Sequence, residues 1–289
     1  MAPISSTWSR LIRFVAIETS LVHIGEPIDA TMDVGLARRE GKTIQAYEII
    51  GSGSALDLSA QVSKNVLTVR ELLMPLSREE IKTVRCLGLN YPVHATEANV
   101  AVPKFPNLFY KPVTSLIGPD GLITIPSVVQ PPKEHQSDYE AELVIVIGKA
   151  AKNVSEDEAL DYVLGYTAAN DISFRKHQLA VSQWSFSKGF GSLLLTIRMA
   201  QTHSGNINRF SRDQIFNVKK TISFLSQGTT LEPGSIILTG TPDGVGFVRN
   251  PPLYLKDGDE VMTWIGSGIG TLANTVQEEK TCFASGGHE

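Results

Sequence analysis

Glu140 and Glu142 stand two residues apart at the start of an otherwise apolar run, Tyr139 to Ile147. The two-residue period of a β-strand aims both carboxylates at one face. Like charges held that close repel, and a shared divalent cation relieves the repulsion. Oxygen-only donors suit magnesium, manganese or calcium better than zinc. Taken alone, the pair fits a solvated strand face at least as well. Asp171 shifts the balance, because it ends the segment Ala168-Ala169-Asn170-Asp171, where a third carboxylate can converge; alone it reads equally as a helix cap. Three carboxylates around one divalent ion leave about one negative charge, so an anionic substrate needs nearby cations. Arg175, Lys111 and Lys188 are the candidates, though each taken singly is an ordinary solvated charge.

These side chains need elements to position them. Tyr139 to Ile147 is the strongest strand pattern in the chain. Val84 to Leu87 is a shorter one, and Gly88-Leu89-Asn90-Tyr91-Pro92 turns it into a brief helix carrying His94 and Glu97 at helical spacing. Ser155 with Glu158 predicts a capped helix lined by Ala159, Leu160, Val163 and Leu164 and stopped by Gly165. A second helix is predicted from about Asp213 to Leu225, opened by Ser211 with Gln214. Thr68 with Glu71 and Ser77 with Glu80 predict two further short helices before Val84. Pro103 to Pro132 carries short extended pieces, including Leu108 to Tyr110 and Leu122 to Ile125. Strands follow at Ile236 to Thr239, Val261 to Ile265 and Thr271 to Val276. At the start of the chain, short alternating stretches between Trp8 and Leu58 include a hairpin, Leu11 to Ala16 followed by Ser20 to Ile24. The whole reads as a β-rich α+β protein. A small N-terminal β module with linker is expected over residues 1–75, a larger domain over 76–283, and a frayed tail over 284–289.

With 42% hydrophobic and 19% charged residues, the chain has the composition of a core-forming protein. Its net charge of −4 gives no electrostatic argument for nucleic acid or an anionic membrane. The longest apolar run, Leu143 to Ile147, is far too short to span a bilayer. Two cysteines, Cys86 and Cys282, make no disulfide framework and fit a reducing compartment, so a cytoplasmic protein is expected. Arg10 and Arg13 before the first acid at Glu18 leave a mitochondrial transit segment as the alternative to the hairpin. Gly244-Val245-Gly246 lacks the Lys-Ser/Thr ending of a phosphate loop and reads as a close-approach turn.

Taken in order, several motifs resemble the fumarylacetoacetate hydrolase family. They are Gly88-Leu89-Asn90-Tyr91 with His94 and Glu97, Phe109-Tyr110-Lys111-Pro112, Asp138-Tyr139-Glu140-Ala141-Glu142-Leu143 with Gly148-Lys149, Gly165-Tyr166, Asn170-Asp171, Arg175, Gln178, Ser187-Lys188, and Gly240-Thr241-Pro242 with Gly244-Val245-Gly246. The resemblance covers nearly all of residues 8–279. It implies the family's mixed β-sheet and β-roll fold. It also implies a divalent metal, magnesium first and manganese or calcium as alternatives, on Glu140, Glu142 and Asp171. By the same resemblance His94 with Glu97 activates a water, Lys188 neutralises developing negative charge, and Lys111, Arg175, Gln178 and Thr241 position the carboxylate of a small anionic keto acid. A homodimer is implied as well.

The implied activity is hydrolysis of a carbon–carbon bond in a β-dicarbonyl acid such as an acylpyruvate or fumarylpyruvate. The alternatives are decarboxylation or tautomerisation of oxaloacetate-like acids, or a non-catalytic homologue. Three departures from the family pattern bear on that choice. Pro92-Val93 stands where the family carries charged residues, Lys176 stands where an aspartate is common after Arg175, and the stretch from 189 to 212 is short and unlike the family's.

Overall fold

The computed structural model describes residues 3–190, 193–195, 199–200 and 213–280. The fold is sheet-rich and mixed. Its largest sheet has twelve strands. One end is formed by Val22–Pro27, Gln45–Ile50, Gln61–Leu73 and Arg10–Ala16; the other by Val163–Asp171, Ala141–Ile147, Ile236–Leu238, Val84–Gly88 and Asn107–Lys111. Met199–Ala200 bridges the two ends by pairing with Arg10–Ala16 and with Val163–Asp171. The expected hairpin near the start is present, with Ile12 opposite Gly25 and Val15 opposite Val22. A smaller sheet joins Glu260–Ile265, Gly270–Glu278 and Ile123–Ile125.

The central strand Ala141–Ile147 explains its own sequence. Val144 and Val146 pack into one apolar core, whereas Leu143, Ile145 and Ile147 pack into another on the opposite face. Both faces are dry, so the strand reads as an unbroken apolar run without alternation.

Several expected helices take other forms. Thr68 and Glu71 lie within the strand Gln61–Leu73, where β-branched and apolar neighbours favour extended backbone over a local cap. Ser77 and Glu80 do make reciprocal capping bonds, Ser77 N donating to Glu80 Oε2 at 2.6 Å, but they close a turn without a helix. Ser155 and Glu158 likewise pair at 2.8 Å ahead of a single 3₁₀ turn, Ala159–Tyr162. Val163, Leu164 and Gly165 then enter a strand, because pairing with Ala141–Ile147 outweighs local helix propensity. The second helix is Val218–Leu225, capped by the Asn217 side chain. Gln214 is not its cap partner; it is buried and donates to Tyr91 Oη and Thr239 Oγ1. Ser211 and the tail over 284–289 lie outside the described residues, as does most of the altered stretch 189–212.

Candidate active site

Strand register brings the acids together. Ala141–Ile147 and Val163–Asp171 run antiparallel with Glu142 opposite Ala169, and the Asp171 N–H donates to the Glu140 carbonyl at 2.8 Å. Glu140, Glu142, Ala169 and Asp171 therefore share one face by the period of two. Asn170, on the other face, accepts the Glu140 N–H through its side chain at 3.0 Å and locks the register. All three carboxylates are buried, and each offers an oxygen within 4.8 Å of the others.

Cations meet them from three directions. Lys188 Nζ donates to Glu140 Oε2 at 2.5 Å and to Asp171 Oδ2 at 2.7 Å. Arg175 reaches Glu140 Oε1 at 2.6 Å. Lys111 Nζ donates to Asp171 Oδ1 at 2.7 Å with its side chain fully buried. Lys111 thus supports a carboxylate of the protein and, like Asp171, is not among the described cavity-lining residues. Burial opposes charge throughout this cluster. Lys188 and Arg175 nevertheless outweigh it at Glu140 and hold that carboxyl below the usual range. Glu140 and Asp171 in turn outweigh it at Lys188 and raise the ammonium above its ordinary value.

Glu142 is the exception. Burial first, then Asp171 and Glu140, push its carboxyl well above the usual carboxylate range. Its Oε2 accepts the Gly240 N–H at 2.6 Å, and Oε1 accepts from no described residue. A left-handed φ of +87° at Gly240, with Asn90 Cβ and the Leu87 carbonyl each 3.0 Å from where a Cβ would sit, makes glycine necessary for this close approach. The donor set fits a hard divalent cation, since one carboxylate oxygen is open and its charge is opposed by two neighbouring acids. Glu140, Glu142 and Asp171 would hold it.

A cavity of about 310 Å³ opens over this floor. His94, Arg175, Gln178, Lys188 and Thr241 all line it, alongside Glu140 and Glu142. His94 sits on the helix Pro92–Glu97, and Pro92 occupies the first turn, where its missing N–H costs nothing. The Pro92-Val93 departure is thereby absorbed. His94 Nδ1 lies 2.8 Å from Glu97 Oε1, and Glu97 also accepts the Gly244 N–H. Lys176 is exposed and takes no part in holding Arg175. That task falls to Asp138, a fully buried residue with no role assigned from sequence, which accepts from Arg175 Nε at 2.8 Å and Nη2 at 2.7 Å. Asp138 Oδ1 also accepts the Gly246 N–H at 2.7 Å, tying the glycine-rich turn to the same anchor. Its position two residues before Glu140 is the signal that could have marked it.

Residues 83–277 match the model of the fumarylacetoacetate (FAA) hydrolase C-terminal family. The chain belongs to that family. Similar curated relatives include a fumarylacetoacetate hydrolase domain-containing protein 2 homolog of Dictyostelium discoideum, 37% identical over 78% of this chain and 83% of the relative. Another is the mitochondrial oxaloacetate tautomerase Fahd2a of Rattus norvegicus, 33% identical over 92% of this chain and 91% of the relative. Among solved structures, a 2-hydroxyhepta-2,4-diene-1,7-dioate isomerase from Mycobacterium marinum superposes with a TM-score of 0.73. It is 27% identical and covers 94% of this chain and 100% of its own. Fumarylacetoacetate hydrolase family members commonly bind a divalent metal, and the buried triad of this one could hold an ion. No described helix is long and apolar enough to cross a membrane.

Proposed function

We propose that the protein catalyses keto–enol tautomerisation of 2-oxo acids, oxaloacetate among them, with magnesium or manganese on Glu140, Glu142 and Asp171. The observation that carries this reading is the pairing of His94 Nδ1 with Glu97, because it reserves Nε2 of a cavity-lining imidazole for proton transfer. When bound, the cation supplies Lewis-acid polarisation of the 2-oxo group. His94 Nε2 takes the proton from C3, and the Glu97 carboxylate stabilises the imidazolium that results. Lys188 has three N–H groups, of which two are committed to Glu140 and Asp171. The third donates toward the oxygen on which negative charge develops; that oxygen takes a proton from solvent water to give the enol while the imidazolium releases its own to solvent, so no net proton is gained or lost. In the reverse direction the enol oxygen gives its proton to solvent and the imidazolium, recharged from solvent, delivers one to C3.

Gln178 and Thr241, both lining the cavity, hold the substrate carboxylate beside Arg175. Gln178 is itself fixed, since its Oε1 accepts from Arg175 Nη1 at 3.0 Å. Hydrolysis of a carbon–carbon bond, the reaction first implied by the motifs, is the second reading, and the same dyad favours it because an imidazole beside a carboxylate can also activate water. The names of the oxaloacetate tautomerase relatives favour proton transfer. The same names support a mitochondrial location over the cytoplasmic one expected from composition, which fractionation would test.

Following enol absorbance with metal-loaded protein is the test of activity. Accelerated conversion of enol-oxaloacetate with no release of a cleaved acid supports the proposal. Cleavage of an acylpyruvate at a higher kcat/KM than tautomerisation would replace it with the hydrolytic reading, and inertness on both would leave the non-catalytic one.

A further inference from the structure

The acidic floor accounts for only part of the cavity. Above it the described lining is apolar, formed by Val100, Phe109, Leu179, Trp184, Phe247 and Val248 among others. Arg175 and Lys188 are the only lysine or arginine side chains in that lining, and each is already bonded to two carboxylates. A 2-oxo acid head bound at the floor with its carboxylate against Gln178 and Thr241 sends its remaining substituent toward this wall. A second carboxylate there would meet apolar side chains and lose hydration, with no lysine or arginine of the described lining free to pair with it.

Trp184 is the fixed part of the wall. Its carbonyl accepts the Lys188 N–H at 3.0 Å and the Ser187 hydroxyl at 3.0 Å, so the indole hangs from the same turn that carries Lys188. Phe109 links the two, its ring centroid 5.2 Å from Lys188 Nζ and 5.6 Å from the Trp184 ring, edge to face at 70°. An aromatic surface thus runs outward from the reacting floor. Gly88 makes room for it: a Cβ there would overlap the indole at Cζ3 and lie 2.9 Å from Cη2. Gly88 has no positive φ, so its missing side chain serves space and not backbone conformation.

We propose that Trp184 is a specificity-determining residue whose indole receives the substituent beyond the 2-oxo acid head, selecting planar, uncharged substituents over a second carboxylate. The proposal rests on the reading that the floor binds a 2-oxo acid. Offset or edge-on contact between a planar group and an indole adds to simple area burial, and the geometry costs nothing on binding because the ring is already held. Oxaloacetate satisfies the floor and leaves its second carboxylate against this surface.

The experiment measures dissociation constants of phenylpyruvate and oxaloacetate by calorimetry on the magnesium-loaded full chain, with turnover of both acids assayed separately. Wild type should bind phenylpyruvate more tightly. Trp184→Ala should shift the ratio of the two constants on the order of tenfold against phenylpyruvate, Trp184→Phe should retain most of the preference, and Gly88→Ala, which displaces the indole without altering it, should shift the ratio in the same direction. Equal weakening of both ligands in Trp184→Ala would show a structural role through the Lys188 turn and overturn the proposal. So would an unchanged ratio, or a wild type that prefers oxaloacetate or binds neither. If the ratio shifts as stated while neither acid is turned over, the assignment of Trp184 stands and the tautomerase reading falls.

Discussion

Arg175 grips Asp138 with two donors on one oxygen, Nε at 2.8 Å and Nη2 at 2.7 Å, while the other oxygen of Asp138 holds the Gly246 N–H at 2.7 Å. One buried aspartate therefore aims the guanidinium into the cavity and secures the glycine-rich turn opposite. The same turn reaches the partner of His94, since the Gly244 N–H bonds to Glu97. Arg175 and the His94–Glu97 pair are connected through a single loop.

Asp138→Asn keeps an acceptor for Gly246 and removes the charge that orients Arg175. KM for a 2-oxo acid should rise about tenfold or more, in line with losing a charge-assisted bond of about 1.5–3 kcal/mol, with a smaller change in kcat. Asp138→Ala should in addition lower unfolding free energy by about 3–5 kcal/mol in urea titrations, because it strands a buried guanidinium. A kcat loss larger than the KM change in the Asn variant would contradict the positioning role.

Lys188→Met removes an ammonium bonded to both Glu140 and Asp171 while keeping most of its volume. Turnover should fall by about two to three orders of magnitude, the scale seen when a donor to a developing oxyanion is deleted. Magnesium should bind at least as tightly as in wild type, since a cation that repels it is gone. Weaker magnesium binding in calorimetry would show that Lys188 builds the metal site and does not serve the reaction.

Glu142 supplies the open oxygen of the triad, and burial together with Asp171 and Glu140 raises its carboxyl well above the usual range. A carboxyl pushed upward in this way competes for a proton against the cation, so metal affinity should climb as pH rises through its titration and level off above it. Chelation should abolish turnover and magnesium or manganese add-back should restore it. Glu142→Gln should bind metal far more weakly and with a flatter pH dependence; wild-type affinity and turnover in that variant would remove Glu142 from the site.

His94→Ala should lower turnover by about two to four orders of magnitude and leave metal affinity nearly unchanged, because His94 is on the helix and not among the acids. Glu97→Gln should cost less, since the amide oxygen still accepts from Nδ1 while the stabilising charge is lost. Kinetics and calorimetry on the same preparations check both statements.

The two-residue spacing of a strand is a local property and was legible in the sequence, while the roles of the other candidate residues came from the ordered family motifs. Glu140 and Glu142 announce their shared face by spacing alone, and the apolar run Leu143–Ile147 announces a strand buried on both sides. What depends on strand order was not legible. Lys111 reaches Asp171 because the chain just after it, Leu116–Ile117, pairs with Leu193–Leu195, whose Leu193 stands opposite Asp171, a relationship no spacing encodes. Hydroxyl-acid pairs misled where they sit inside a strand, as at Thr68 and Glu71, or where tertiary pairing takes over after one turn, as at Val163. The indole of Trp184 gained meaning only from its contact with Gly88, 96 positions earlier in the chain.

Proton transfer at C3 is the central claim, and exchange of the oxaloacetate C3 protons in deuterium oxide, followed by proton NMR with metal-loaded protein, reads it directly. Exchange and enol–keto equilibration should run well above the protein-free rate, both should be lost in His94→Ala, and no matching release of pyruvate or of a cleaved acid should occur. Exchange no faster than without protein, or cleavage products appearing as fast as the label, would contradict it.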